Sequence, residues 1–589
     1  MCTRVFLTKN TGGINVNQLN KKDLVQLLEK IALYLELKGE NPFRISAYRK
    51  AAQSLEIDER ALSEIDDFTK IKGIGKGTAE VISEYINTGK STLLSEIEAD
   101  VPNGLIPLLD LPGLGGKRLA RLYQELNITD QESLRIACEG HQVSALKGFG
   151  KKTEENILQA IQEAGNRPER LPIDFMLPLA KKIEAYLETV NAIQNYSIAG
   201  SVRRMRESIK DLDFIIATDQ PKKVREALLN MEAVKQVISQ GDTKVSVVLS
   251  DQYDVSVDFR LVTADQFATT LHHFTGSKDH NVALRQRAKE QGEKISEYGV
   301  EDLATGKVTT FESEAAFFKH FGLNFIPAEL REAKGELDAF EGEVSLVSEA
   351  QILGDLHIHT TWSDGAHSVE EMIQFCLEKD YQYMAITDHS KFLRVANGLN
   401  EDRLRKQREE IERLREFYPE IKIYAGVEMD ILPNGELDFD DHFLQELDFV
   451  IGAIHSSFNQ SEEEIMKRLK AAMDNPYVKM IAHPSGRLIG KRKGYRVNHD
   501  QLLDYAKKTN TILELNANPK RFDLSSEWVQ KAQEKGVPIA INTDAHNKKT
   551  LSYMTEGIKV ARRGWLKPET VVNTWSLAEL QTFFNKKEN

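Results

Sequence analysis

The chain has 589 residues, of which 41% are hydrophobic and 28% charged, with a formal net charge of −13. That length exceeds one ordinary core and predicts roughly four units, while no apolar run approaches the ~18 residues of a membrane span and MCTRVFLTKNTGG has no apolar stretch to serve as a secretory signal. Cys2, Cys138 and Cys376 are too scattered for a disulfide framework or a cysteine zinc site, so a reducing, cytoplasmic setting is expected and any metal must use His and carboxylates.

Nothing in the first 18 residues forms a readable pattern. From Asp23 to Lys38, Leu24, Leu27, Leu28, Ile31, Tyr34 and Leu35 recur at the spacing of an amphipathic helix, which predicts ordinary core. One short pattern then occurs three times, as IKGIGKGTAEVI from Ile71, LPGLGGKRLARL from Leu111 and LKGFGKKTEENIL from Leu146. Each copy places an apolar residue before Gly-x-Gly and a lysine at a helix start. The glycine pairs Gly73 and Gly75, Gly113 and Gly115, and Gly148 and Gly150 permit a tight hairpin that leaves helix N–H groups free for a phosphate. A glycine-bearing helix connection without a ligand is the plainer reading of any single copy. Together the three resemble the helix-hairpin-helix motif, which grips a DNA strand without reading its sequence.

From Ser197 the residues turn to strands: YSIAGSV, DLDFIIA, VSVVL and YDVSVDFRLV. Asp211 and Asp213 lie two apart, so strand period puts both on one face, and Asp258 joins them from another strand. Three converging acids can hold two divalent cations for phosphoryl transfer, although an isolated D-x-D is more often a solvated face. Upstream, Gly200 and Ser201 allow close backbone approach to phosphate, with Arg203 and Arg204 as cations. The overall negative charge opposes nucleic-acid binding only in sum, because clustered metal-holding acids leave room for a separate basic groove.

The ordered set GSVRR, Asp211 and Asp213, VDFR and HHFTGSKDHN closely resembles family X DNA polymerases, the group that includes DNA polymerase beta. The likeness extends back through KGENPFRISAYRKAA and covers roughly residues 20 to 330. It implies that Asp211 and Asp213 bind two Mg2+ or Mn2+ ions, while Asp258 completes the catalytic-metal site and takes the primer hydroxyl's proton. It further implies that Ser201 and Arg204 hold the triphosphate tail, that Phe274 and Gly276 lie near the sugar, that Asn281 reaches the base edge, and that Arg260 is a switch partner of the carboxylates. Three departures limit it. Val81 stands where some relatives carry the Schiff-base lysine, so no 5′-deoxyribose-phosphate lyase is expected. Lys210 replaces a glycine before Asp211, and His273 replaces a tyrosine beside Phe274.

Residues 326–354, acidic and broken by proline and glycine, read as an interdomain linker. Beyond them YMAITDH, IYAGVEMD, FVIGAIH, VKMIAHP, ILELNA and PIAINTDAH alternate with helical stretches, which predicts a parallel sheet or α/β barrel with polar residues at its strand ends. His357 and His359 share one strand face, followed by Asp364, His389, Glu428, His455, His483, Asp544 and His546, a donor set that suits zinc, manganese or iron. A lone histidine is usually surface or satisfied core; nine such residues at comparable strand ends are not. The series resembles the PHP domain, a distorted α/β barrel with a trinuclear phosphoesterase centre. The resemblance implies one metal among His357, His359, Glu428 and Asp544, a second bridged by Glu428 to His455 and His483, and a third held by Asp364, His389 and His546, all Mn2+ or Zn2+. GRLIGKRKGYRV, with Arg487, Lys491, Arg492, Lys493 and Arg496, reads as a phosphate-backbone clamp or a solvated loop, and Tyr495 as a base-stacking residue.

The expected fold is multidomain, with helical helix-hairpin-helix N-terminal regions, an α+β nucleotidyltransferase palm and thumb, and a C-terminal distorted (β/α) barrel. The boundaries are 1–90 and 91–168 for the helical regions, 169–262 for the palm, 263–325 for the thumb, 326–350 for the linker and 351–589 for the PHP domain. The expected function is gap-filling DNA synthesis in repair from deoxynucleoside triphosphates on gapped, nicked or recessed duplex. A 3′-5′ exonuclease in the PHP half accompanies it, with abasic-site cleavage or 3′-end processing as further activities, in a monomer without membrane attachment. The competing readings are a DNA-binding module fused to a small-molecule phosphatase, and a DNA scaffold without enzymatic activity.

Overall fold

The computed structural model describes residues 21–58, 65, 67–111, 114–164 and 169–588, and the chain divides into two units, Met1–Pro168 and Glu169–Asn589. The first 18 residues and Gly113 lie outside the described residues.

The first unit is helical. Lys21–Lys38 buries the predicted stripe of Leu24, Leu27, Leu28, Ile31, Tyr34 and Leu35 against Pro42–Ile57, Thr92–Ala99 and Gly116–Leu126. Pro42–Ile57 starts where Asn41 accepts a bond from the Phe43 N–H and proline occupies the first turn. In the first and third glycine repeats the leading glycine takes a left-handed conformation, with φ of 110° at Gly73 and 92° at Gly148. The middle residues Ile74, Leu114 and Phe149 plug into the core. The second glycines, Gly75, Gly115 and Gly150, face open space, and Gly75 and Gly115 cap the helices Lys76–Thr88 and Gly116–Leu126 without any side-chain bond. The hairpin is thus anchored by its middle residue while its helix N–H groups stay exposed.

In the second unit a short strand pair, Leu171–Pro172 with Ser208–Ile209, and the helix Ile173–Glu188 accompany a five-stranded sheet whose strands are β1 (Asn195–Ile198), β2 (Leu212–Ala217), β3 (Val234–Gln240), β4 (Lys244–Ser250) and β5 (Asp254–Val262), in the order β1-β2-β5-β4-β3. The β2–β5 pair is parallel and sets Asp213 directly opposite Asp258. Helices Phe267–Thr275 and Lys278–Glu290 follow, the second capped by Ser277, and then a three-stranded antiparallel sheet and the helix Glu314–His320.

Residues 326–350 are not an open linker. Ile326, Leu330, Phe340 and Val347 are core, and Arg331 and Glu336 are fully buried. The acidic stretch reads as a linker because the charged partners of its acids are remote in sequence: Glu336 takes a bond from His280 Nδ1 at 2.6 Å, beside a local one from the Ala333 N–H at 2.8 Å, while Glu329 pairs with Arg562 and Glu332 with Arg204.

The C-terminal part is a seven-stranded parallel sheet in chain order, β6 (Gly354–Ile358), β7 (Tyr383–Ile386), β8 (Lys422–Asp430), β9 (Phe449–Ala453), β10 (Val478–Ile481), β11 (Ile512–Asn516) and β12 (Ile539–Asn542). Its ends nearly close, because Ala545, just past β12, bridges Ile358 of β6 in parallel. The strands are almost wholly buried, as expected when helices cover the outside of a barrel and side chains fill it. No helix among the described residues is long and apolar enough to cross a membrane.

Two candidate active sites

The first site forms at the C-terminal end of the short turn Ile198–Gly200 and along β2 and β5. Gly200 has φ of 64°, and a Cβ there would collide with the Asp213 carboxylate, so glycine is required for the backbone to lie against that acid. Burial, then Asp258 and Asp211, push the Asp213 carboxyl up to about 7. A carboxyl forced toward neutrality by burial and by like charges is a place where added positive charge is favourable. Lys244 Nζ supplies one unit, at 2.8 Å from Asp258 Oδ2. The three aspartates are more loosely gathered than the C-terminal donors, which fall into sets of three or four within 4.8 Å of one another. The crowded oxygen donors nonetheless suit hard divalent cations.

Several predicted nucleotide contacts are engaged within the protein. Arg204 donates from Nε to Glu332 at 2.8 Å and from Nη1 to the Thr275 carbonyl at 2.7 Å. Asn281 turns its amide onto the carbonyls of His273 at 2.7 Å and Gly276 at 3.4 Å, so here it closes the FTGS turn instead of facing a base. Arg260 lies over the Phe274 ring at 4.7 Å; Lys244, a residue the sequence reading missed, is the cation that bonds a carboxylate. Ser201 is half-buried in the turn Gly200–Arg203.

The second site lies inside the strand ends of the barrel, where Glu428 at the end of β8 is the hub. His483 Nε2 stands 2.9 Å from its Oε1 and His455 Nε2 3.3 Å, while His389 Nδ1 stands 2.7 Å from its Oε2. His357 Nε2 and His359 Nε2 approach Oε2 at 3.6 and 3.7 Å. Asp544 Oδ1 adds approaches of 3.5 Å to His357 and 3.2 Å to His359, and Asp364 faces His389 at 3.6 Å and His546 at 3.4 Å. All nine predicted residues therefore converge. His359 sits with Asp364, His389 and His546, while His389 also groups with Glu428 and His455, so the three expected ligand sets share members and His389 is not confined to one. His483 and Asp544 hold φ of 29° and 53°, conformations rarely kept by non-glycine residues unless surroundings impose them.

The donors fit metal ions. His357 Nε2, His359 Nε2 and Glu428 Oε2 are buried and make no directed hydrogen bond, although Glu428 Oε2 lies 2.7 Å from His389 Nδ1 and His359 Nε2 lies 3.2 Å from Asp544 Oδ1. Buried polar atoms do not normally go unpaired, and convergent lone pairs at this spacing are what a cation would satisfy. Burial and the neighbouring His546 and His389 push His359 down to about 3, toward the neutral imidazole that ligation needs, whereas, despite burial, Glu428 pushes His455 up to about 10 and Asp364 pushes His546 up to about 9. Despite burial, His455, His389 and His357 hold the Glu428 carboxyl well below its ordinary range.

Behind the donors stand carboxylates that the sequence reading did not single out. Glu514, fully buried in β11, accepts from His357 Nδ1 at 2.8 Å, the His483 N–H at 2.7 Å and Asn542 Nδ2 at 3.1 Å. Asp430 faces His455 Nδ1 at 3.2 Å. Such partners orient imidazole ligands and raise their basicity. The available signal was an acid inside an otherwise apolar strand, in ILELNA and GVEMD. The pocket over the cluster, about 290 Å3, is lined by seven of the donors, all but His357 and His359, together with Leu393, Val395, Ala396 and Arg521. Arg521, also missed, lies 3.7 Å from Asp544.

The basic loop after His483 divides differently from expectation. Tyr495 is buried, stacked on Phe458 at 5.8 Å, so it is core and cannot stack on a base; its position among cations concealed an apolar role. Arg492 bonds the Gly486 carbonyl and covers the Phe458 ring at 4.1 Å. Arg487 pairs with Glu207 at 2.8 Å. Lys491, Lys493 and Arg496 remain exposed.

Comparison with known proteins agrees with these parts. Residues 270–332 match the family model of the DNA polymerase beta thumb, 20–91 a helix-hairpin-helix domain, 105–163 a SAM-like helix-hairpin-helix tandem and 355–518 the PHP domain. The chain is 56% identical over 570 residues to the DNA polymerase/3'-5' exonuclease PolX of Bacillus subtilis (strain 168), covering 97% of this chain and all of that one. Over 246 residues it is 28% identical to a probable phosphatase of Thermoanaerobacter sp. (strain X514), spanning 40% of this chain and 95% of the relative.

Proposed function

Since the chain belongs to the PolX family of DNA polymerase/3'-5' exonucleases, we propose that its two clusters are separate active sites, the palm carboxylates for synthesis and the barrel donors for hydrolysis. The protein is a DNA polymerase and a 3′-5′ exonuclease that uses divalent metal ions and binds DNA and deoxynucleoside triphosphates. The observation that carries the division is that Asp213 and Asp258 face each other across one sheet, whereas the nine His and acid donors line the strand ends of another.

In synthesis, Asp211, Asp213 and Asp258 would hold Mg2+ or Mn2+, and Ser201 and Arg204 would receive the triphosphate. Asp258 would take the proton of the primer 3′-hydroxyl as it attacks the innermost phosphorus and pyrophosphate leaves. In hydrolysis, the nine donors would hold three Mn2+ or Zn2+ ions, Glu428 serving several of them, while Arg521 presents its guanidinium to the phosphodiester oxygens. Ions bound at either cluster supply Lewis acidity and neutralise charge that builds on the phosphoryl oxygens. The exposed helix starts behind Gly75, Gly115 and Gly150, with Gly73 and Gly148 forming the described turns and Gly113 expected in the same place by sequence, would grip DNA backbone; in the barrel Lys493 would be a separate backbone contact, and Arg492 supports its loop from within. Val81 lies in the core without an amine, which supports the absence of 5′-deoxyribose-phosphate lyase activity. Gap filling in repair by a cytoplasmic monomer, with abasic-site cleavage or 3′-end processing in the barrel, completes the reading.

The test is a pair of substitutions assayed on gapped and recessed duplex with manganese. Asp258→Ala abolishes extension and spares 3′ degradation; Glu428→Ala does the opposite. Loss of both activities in either folded variant contradicts independent centres, and hydrolysis confined to small phosphate esters favours the phosphatase reading instead.

A further inference from the structure

We propose that Arg563, in the last turn of the PHP-half helix Tyr553–Arg563, is a positioning residue of the polymerase site: it keeps Glu332 paired so that Arg204 can leave that carboxylate for an incoming triphosphate. The inference rests on the reading of Arg204 as a triphosphate ligand.

Arg204 is engaged on protein acceptors, with Nε 2.8 Å from Glu332 Oε1. Arg563 Nη1 reaches the same oxygen at 3.1 Å and also donates to the Arg204 carbonyl at 2.9 Å. Arg206 stands 3.6 Å from Oε2. One carboxylate thus serves three guanidinium groups in a largely buried setting, the side chains of Arg204, Glu332 and Arg563 being 14%, 13% and 13% exposed. Next to it Arg562 pairs with Glu329, which fixes the helix end against this segment.

Two consequences follow from elementary electrostatics. If Arg204 alone neutralised Glu332, its departure would leave a buried carboxylate unpaired, which is strongly unfavourable; Arg563 removes that obstacle. Two guanidinium groups on one oxygen also repel, so each is held less tightly than it would be alone. The bond from Arg563 to the Arg204 carbonyl anchors the backbone meanwhile, so the guanidinium turns while its Cα stays in place. Arg563 does not line the hydrolytic pocket, so its contribution belongs to synthesis.

The experiment uses the full chain on single-nucleotide gapped DNA, with 3′ degradation measured in parallel. Arg563→Ala raises the deoxynucleotide KM about tenfold, the scale of a charge-assisted bond, with kcat within about twofold and exonuclease rate unchanged. Arg563→Lys recovers part of the effect. Adding Glu332→Gln to Arg563→Ala restores KM, because Arg204 is then no longer held. An unchanged KM in Arg563→Ala, alongside a raised KM in Arg204→Ala, overturns the inference and leaves the reading of Arg204 standing. An unchanged KM in Arg204→Ala overturns that reading itself. A joint fall of kcat and exonuclease rate that Glu332→Gln does not relieve reduces Arg563 to a structural tie and also overturns the inference. Should Arg563→Ala not fold, Glu332→Gln alone decides: a lowered KM supports the proposal and a raised one contradicts it.

Discussion

At Glu428 one carboxylate faces five imidazoles, those of His357, His359, His389, His455 and His483, so each donor's position depends on the others and on the groups behind them. Arg521 differs from these donors in chemistry, being the cation on the pocket wall. A guanidinium has no lone pair for a metal, and beside a phosphodiester it is placed to neutralise charge gained in the transition state. Arg521→Ala should therefore lower the 3′ degradation rate about 10²-fold with extension unchanged. Bound metal, measured after dialysis, should stay at the wild-type level. Metal loss in parallel with activity would show instead that Arg521 acts by holding Asp544. Most of the nine donors were legible in the sequence because they lie at or just past the end of an apolar strand, a place where polar residues are exceptional, whereas Asp364 and His546 lie in the turns beyond and were reached through the family likeness. Arg521 was not, because it follows β11 in a loop whose return to the pocket depends on tertiary packing. Tyr495 misled for the converse reason: its neighbours in sequence are cations, but its neighbours in space are Phe458 and the core.

Among elements, period-two strands and glycine hairpins were readable because their rules are local. The parallel register that opposes Asp213 and Asp258 was readable only through the family likeness, since registry between distant strands is set by packing. The acidic stretch after Phe325 shows where local rules stop, for composition cannot distinguish a solvated acid from a buried counterion. The junction of the palm turn and the thumb has the same character. Glu314, at the start of Glu314–His320, takes both Arg203 nitrogens, at 3.1 and 2.6 Å, and bonds the fully buried Arg331. Burial works against its ionisation, but Arg331 and Arg203 outweigh it and hold the carboxyl at about 2, below its ordinary 4.5. A lowered folded value means stability that is present above pH 4.5 and lost as pH falls toward about 2. Glu314→Gln should cost about 3–5 kcal/mol at pH 7, the scale for stranding a buried partner charge, measured by urea unfolding. The gap from wild type should shrink steadily below about pH 4.5; a gap independent of pH would show that the carboxylate's charge is not what holds the junction.

On the scale of the molecule, the palm and the barrel are parts of one compact unit. One apolar cluster runs from Leu171, Ile183, Leu212 and Phe259 in the palm to Ile358, Val427, Leu515 and Ile558 in the barrel. Across it Lys181 pairs with Glu556 at 2.7 Å and Arg487 with Glu207 at 2.8 Å, and the Val347 N–H bonds the Leu566 carbonyl at 2.9 Å. With the two proposed centres in one compact unit, a primer end would be handed between them by moving the DNA, and neither half should lose its packing alone. All four tryptophans, Trp362, Trp528, Trp565 and Trp575, lie in the barrel half, so their fluorescence reports on one part while primer extension reports on the other. Cooperative unfolding of a shared core gives coincident transitions by independent probes. Heating should therefore abolish extension and shift tryptophan emission at one midpoint, and Arg487→Ala should lower both together. Midpoints more than about 5 °C apart, a separation of a few kcal/mol in a unit of this size, would mean that the barrel and palm cores unfold as independent domains despite their shared apolar surface.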